Sequence, residues 1–270
     1  MVVNSGTGTN RLAERVALQF QIPIPLVEIV NEEEIELVCD DYGKDTFDGL
    51  TVYERENDCF YIHLNTANGN RPDSTKGRFT LAHELGHYFI GHHRTALING
   101  VMQPHCHKYN PFGGNEEWII EREADDFAAS LLMPWQLLKQ DLRQEKFSGT
   151  VINKLSKRYR VSFSAMAIRC LKCDYIPMML VYAVDGMVKW QMHSEDFPFW
   201  QLKYGKTRIP ENSVMGEYFI SGDDSYCRKE EIVFAGDCFH TFSQEQNNLQ
   251  LYEYCISYKN KAFSMFWQKC

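Results

Sequence analysis

No apolar run in this chain approaches the roughly 18 residues a membrane-spanning helix needs; the longest candidate is Pro177–Val184. No apolar segment follows a basic N-terminal region either, so no secretory leader is expected and the chain reads as soluble and cytoplasmic. Excess positive charge is also missing. With 28 Lys and Arg against 36 Asp and Glu, the net charge of −8 excludes a general nucleic-acid binder, although not a local basic patch. The nine cysteines are odd in number and scattered, which argues against a disulfide framework. Cys170-Leu-Lys-Cys173 has metal spacing, but no second such pair accompanies it, so ordinary reduced thiols are expected. What the chain does have is length and apolar content: 270 residues, 44% hydrophobic, enough for a sizeable core in one or two domains.

The most informative stretch is RFTLAHELGHYFIGHH, from Arg78 to His93. Phe79, Ala82, Leu85 and Phe89 recur at helical spacing, Ser74 and Thr75 are N-cap candidates, and Gly91 is a stop. On a helix, His83 and His87 lie one turn apart on one face and can converge on a single Zn²⁺. Glu84, beside the first histidine, is placed to act as general base toward a bound water. Gly86 is a poor helix former, and its missing side chain would let another backbone pass close by. Average composition produces HExxH on the order of once per hundred chains of this size, so a second motif has to decide.

Upstream, residues 1–9 are polar and read as a disordered tail. Asn10 is a candidate cap for a helix running to Phe20, and Leu26–Glu33 reads as a second helix after Pro23 and Pro25. Strands are expected at Glu36–Asp40, Gly49–Glu54 and Cys59–Leu64, the last two joined by a turn at residues 55–58. From Gly91 to Asn115 the chain loses periodicity and reads as a long functional loop.

The second motif follows. Asn115 can cap a helix over EEWIIEREADDFAASLLM, ended by Pro134. Ile120, Ala124, Phe127, Ala128 and Leu131 form its packed side, while Glu117, Glu121, Asp125 and Leu132 share another face. A catalytic zinc site takes three protein ligands and keeps a fourth position open. Glu121 is the best third ligand, with Glu117 and Glu123 weaker candidates. Asp125, one turn on, could accept the free ring N–H of a ligand histidine. The plain alternative is that these acids only solvate an exposed flank.

HELGH followed by EREADDFAASLLMP resembles the ImmA/IrrE family of zinc metallopeptidases, and so do the strand end HLNT (His63–Thr66) and the later LSKRYRVSFSAMAIR. The resemblance spans roughly residues 10–173. It implies His83, His87 and Glu121 as zinc ligands, Glu84 as catalytic base, and Asp125 in the position four residues beyond the third ligand. It further implies a cytoplasmic peptidase that cleaves a helix-turn-helix repressor, releasing genes of DNA-damage, mobile-element or phage-defence programmes. Larger members carry a sensor-like, GAF-like domain at the place of this chain's C-terminal part.

Residues 135–173 carry nine basic and two acidic residues, a local net of +7 that leaves −15 elsewhere. Helices are expected at Trp135–Glu145, Thr150–Tyr159 and Ser162–Leu171, with a helix-turn-helix-like junction at Leu155–Ser162. Lys154, Lys157, Arg158 and Arg160 are candidate DNA contacts, DNA being a possible activator; otherwise the segment only packs. Beyond it lie 19 of the 36 aromatic residues, with a hairpin signal at Asp185-Gly186 and strands expected at Pro177–Val184, Met187–Met192, Ser213–Ser221, Ile232–Ala235 and Asn248–Ser257. The fold class is α+β: a small N-terminal sheet packed on a helical, zincin-like metallopeptidase core with a helix-turn-helix-like bundle, then an antiparallel-sheet-rich, GAF-like C-terminal domain. Boundaries are expected at residues 10–134, 135–173 and 174–270.

Zinc-assisted peptide hydrolysis also needs an oxyanion donor, for which His105, His107, Tyr109 and Tyr159 are candidates. Cys106, in the loop between the two ligand helices, could occupy the fourth zinc position and hold the enzyme latent. The rival reading is a DNA-binding transcriptional regulator whose zinc site is not catalytic.

Overall fold

The computed structural model describes residues 8–44, 46–101, 116–205 and 207–268. The chain forms two compact units. One ends at Asp141 and also takes in Ser156–Ser162; the other comprises Leu142–Leu155 and the chain from Phe163 onward.

The first unit opens with α1 (Gly8–Ala17) and α2 (Leu26–Glu32). Asn10 does not cap α1. It lies inside the helix, buried, and its Oδ1 accepts the Ser130 hydroxyl at 3.2 Å, which ties α1 to the later helix Glu116–Leu132. Three strands follow, β1 (Glu36–Asp40), β2 (Gly49–Glu54) and β3 (Cys59–Asn65). They form a mixed sheet in the order β1-β3-β2, with β1 parallel and β2 antiparallel to β3. The HLNT strand end proves to be a polar hub. Asn65 is fully buried and donates to the Gly43 and Phe47 carbonyls at 2.8 and 2.9 Å, fixing the chain between β1 and β2.

Helix α3 (Thr75–Phe89) is capped by Ser74, whose hydroxyl accepts the Gly77 N–H at 2.9 Å. It is buried on every side from Thr80 to Tyr88, rather than on one flank. The sheet packs on one side of it, through β2 and β3, and α5 (Glu116–Leu132) on another. Ile90, with extended backbone, ends α3, and the chain restarts at once as α4 (Gly91–Ile98). The expected loop therefore begins later than Gly91: burial of His93 and Leu97 gives α4 an inward face. Gly86 allows the close approach of α3 to α5, since a Cβ there would lie 3.2 Å from Ala124 Cα and 3.3 Å from the Ala124 carbonyl oxygen. Leu81, Leu85, Ala124, Phe127 and Leu131 are fully buried along this seam, each large side chain contributing about 1.5–3 kcal/mol.

Three helices follow: α6 (Trp135–Leu142), shorter than the expected Trp135–Glu145, then α7 (Gly149–Tyr159) and α8 (Phe163–Lys172). The second unit is built on a five-stranded antiparallel sheet of β4 (Met178–Val184), β5 (Met187–His193), β6 (Glu230–Phe234), β7 (Gln250–Tyr258) and β8 (Lys261–Gln268), in the order β5-β4-β8-β7-β6. Asp185 and Gly186, both at positive φ, make the two-residue turn between β4 and β5. Phe239 stacks on Phe199 at 5.0 Å and meets Phe266 edge-on at 5.2 Å in the core of this unit.

Ser213–Ser221, expected as a strand, is instead a helix, α9 (Val214–Ser221). Its aromatic and β-branched residues suit a strand, but both its ends are capped. The Ser213 hydroxyl accepts the Gly216 N–H at 2.9 Å, and Gly222 closes the helix at φ +72. The buried Glu253 carboxylate of β7 then accepts the Val214 and Met215 N–H groups at 2.8 and 3.1 Å. The architecture is α+β, with a small mixed sheet in one unit and an antiparallel sheet in the other.

Candidate metal centre

Helical spacing brings His83 and His87 to one face of α3, and the Gly86 contact draws α5 near enough for Glu121 to reach both. His83 Nε2 lies 3.1 Å from His87 Nε2 and 3.3 Å from Glu121 Oε2, and His87 Nε2 lies 3.6 Å from Glu121 Oε1. Donors bound tetrahedrally at about 2.05 Å from a zinc ion lie about 3.3 Å apart. Two imidazoles and a carboxylate at this spacing fit one divalent ion.

On its other side the His83 ring is held by Asp125, whose Oδ1 lies 2.9 Å from Nδ1. That contact fixes the ring with Nε2 directed at the centre. Burial works against a charged His83, but hydrogen bonds with Asp125 and Glu121 and the nearby Glu84 outweigh it and push it up to about 10. The carboxylates that favour positive charge on this ring also favour a divalent cation beside its Nε2.

Glu84, 1% exposed, lies beside the first candidate ligand, His83. Its two oxygens differ. Oε2 accepts the Thr51 hydroxyl of β2 at 2.7 Å, whereas Oε1 is buried with no hydrogen-bond partner among the described residues. Gly49 makes room for that free oxygen, since a Cβ at residue 49 would stand 2.6 Å from it. Burial pushes the Glu84 carboxyl up to about 7, against the opposing pull of His83 and of the Thr51 hydrogen bond. A carboxylate near 7, with one oxygen anchored and the other unengaged, is poised to exchange a proton with water.

Thr51 and Gly49 were not singled out from sequence. A glycine opening a strand is the available signal, because it often marks close approach of another group. Glu123, two residues from Glu121, turns away from the centre and meets His92 and His93 of α4 instead. Of the candidate oxyanion donors, Tyr159 is fully buried and its hydroxyl donates to Asp141 at 2.8 Å. His105, His107, Tyr109 and Cys106 lie outside the described residues, as does the Glu117 side chain. Of the candidate DNA contacts, Lys154 pairs with Glu145, Arg158 pairs with Asp141 at 3.1 Å, and Arg160 donates to the Asp73 carbonyl at 2.9 Å. Lys157 is exposed.

Residues 61–171, a span that includes both helices of the candidate centre, match the family model of peptidase M78, the IrrE N-terminal-like domain. Among solved structures, a Mycobacterium tuberculosis transcriptional regulator is similar with a TM-score of 0.60 at 15% sequence identity. That likeness covers 98% of this chain and 78% of the regulator, and at such identity it is one of fold. No curated protein matches the chain.

Proposed function

Proceeding from the IrrE N-terminal-like domain at residues 61–171, we propose that the chain is a cytoplasmic, zinc-dependent endopeptidase. Its substrate is a helix-turn-helix transcriptional repressor, cut to release a stress, DNA-damage or phage-defence operon. The observation that carries the hydrolase part is the triangle of His83, His87 and Glu121 with the half-anchored Glu84 beside it. No helix among the described residues is long and apolar enough to cross a membrane.

Zinc held by His83, His87 and Glu121 would polarise the scissile carbonyl and lower the pKa of a water toward about 7. Asp125 keeps the His83 ring in its tautomer, and Thr51 holds Glu84 Oε2 still. Glu84 Oε1 takes a proton from the attacking water and gives it to the departing amine. The burial that raises Glu84 helps the second transfer, because a carboxyl near 7 gives and takes a proton with comparable ease.

DNA is the proposed activating signal. Lys157 is ready for a phosphate, while Lys154, Arg158 and Arg160 would exchange Glu145, Asp141 and the Asp73 carbonyl for phosphates on binding. Association of this kind weakens steeply with salt. The deciding experiment incubates the purified chain with candidate helix-turn-helix repressors, beginning with any encoded beside it, with and without DNA. A cut repressor that needs Glu84 and the metal supports the reading; an intact repressor under every condition refutes it.

A further inference from the structure

A second cluster of the same donor types lies beyond the first centre. His92 and His93 open α4, and Glu123 comes from α5. His92 Nε2 and His93 Nε2 approach the same oxygen, Glu123 Oε2, at 2.8 and 3.1 Å. One nitrogen from each ring and that oxygen all lie within 4.8 Å of one another. Adjacent helical residues point about 100° apart, so helix geometry alone does not produce this convergence. It needs the two rings turned edge-to-face, with centroids 4.4 Å apart at 79°.

We propose that His92, His93 and Glu123 hold a second divalent metal ion at the junction of α4 and α5. The donors are two imidazoles and a carboxylate, at spacings near the edge of a tetrahedral zinc site. The His92 side chain is 63% exposed and gives an entry path, while His93 is wholly buried and anchors the inner side. The His93 ring also packs on the ligand His87, centroids 5.1 Å apart, so an ion at Glu123 steadies a ring that touches the first centre.

The second ion is the weaker of the two. Ligation through Nε2 puts the His93 ring proton on Nδ1, a buried atom with no hydrogen-bond partner among the described residues, whereas the His83 ring has Asp125. Loss of such an outer partner costs about 10–100-fold in metal affinity.

The test titrates the full metal-stripped chain with Co²⁺, reading bound metal per chain for the wild type and for His92→Ala, a change at an exposed side chain. Expected are two equivalents in the wild type, the second about 10–100-fold weaker, and loss of only that weaker one in His92→Ala. One equivalent in both proteins overturns the proposal, Glu123 then merely accepting two ring N–H groups; so do two equivalents in both. One equivalent in the wild type and none in His92→Ala upholds the second site and refutes the first as the seat of metal.

Discussion

The Thr51 hydroxyl and the Glu84 carboxylate, 33 residues apart in sequence, meet across 2.7 Å in a fully buried contact. Through that contact the edge strand β2 fixes the angle at which the candidate base faces His83 and His87. Thr51→Val should leave metal content unchanged and lower kcat about 10–100-fold, as loss of a hydrogen bond to a charged group worth about 1.5–3 kcal/mol implies. Thr51→Ser should restore most of it. A kcat for Thr51→Val equal to that of the wild type would remove the positioning role.

Gly49 is the counterpart on the other carboxylate oxygen. A Cβ there would stand 2.6 Å from both Glu84 Oε1 and Thr80 Cγ2. Gly49→Ala should cost about 1–3 kcal/mol of stability by overpacking and displace Glu84. Activity should therefore fall further than the folded fraction does, with urea unfolding and cleavage rate measured on one preparation.

Gly86→Ala probes the other side of the site. Its Cβ would push on Ala124 Cα at 3.2 Å and spread α3 from α5, carrying Glu121 away from the histidines. Metal affinity should drop by at least about tenfold, on the scale seen when groups supporting the ligands are disturbed. Competition with a chelator measures it, and unaltered affinity would mean that the Gly86 contact does not set the reach of Glu121.

In the second unit, Glu253 makes stability depend on pH. Burial pushes its carboxyl up to about 7 from 4.5, only partly offset by hydrogen bonds from Ser264, Val214 and Met215. Between those values the unfolded chain is ionised at this position while the folded chain keeps the proton. The folded state thus binds more protons, and stability falls as pH rises. The stabilisation is fully present below 4.5 and is lost by about pH 7, a loss of about 3 kcal/mol. Glu253→Gln should flatten this component, so urea midpoints of variant and wild type compared at pH 5 and pH 8 should move in the variant's favour at the higher pH. A difference that does not change with pH would contradict it.

The candidate ligand side chains were legible because local spacing carries them. One helical turn sets His83 against His87, and one sequence motif supplies Glu121 and Asp125. What faces them was not legible, because the Thr51 and Gly49 contacts join a strand to a helix more than thirty residues away. Helix α9 was misread for a related reason. Its residues favour a strand, and the buried Glu253 that caps it lies on β7. The Ser213 cap and Gly222 stop were the signals in the sequence that pointed to a helix. In α4, the paired histidines looked like the start of a loop until the buried His93 and Leu97 showed an inward face.

The most direct test of the account is anomalous diffraction at the zinc absorption edge from crystals grown with Zn²⁺. Zinc held by these side chains would give a peak about 2.0–2.2 Å from His83 Nε2, His87 Nε2 and a Glu121 carboxylate oxygen. No peak where those three atoms converge, or zinc bound only elsewhere in the chain, would contradict it.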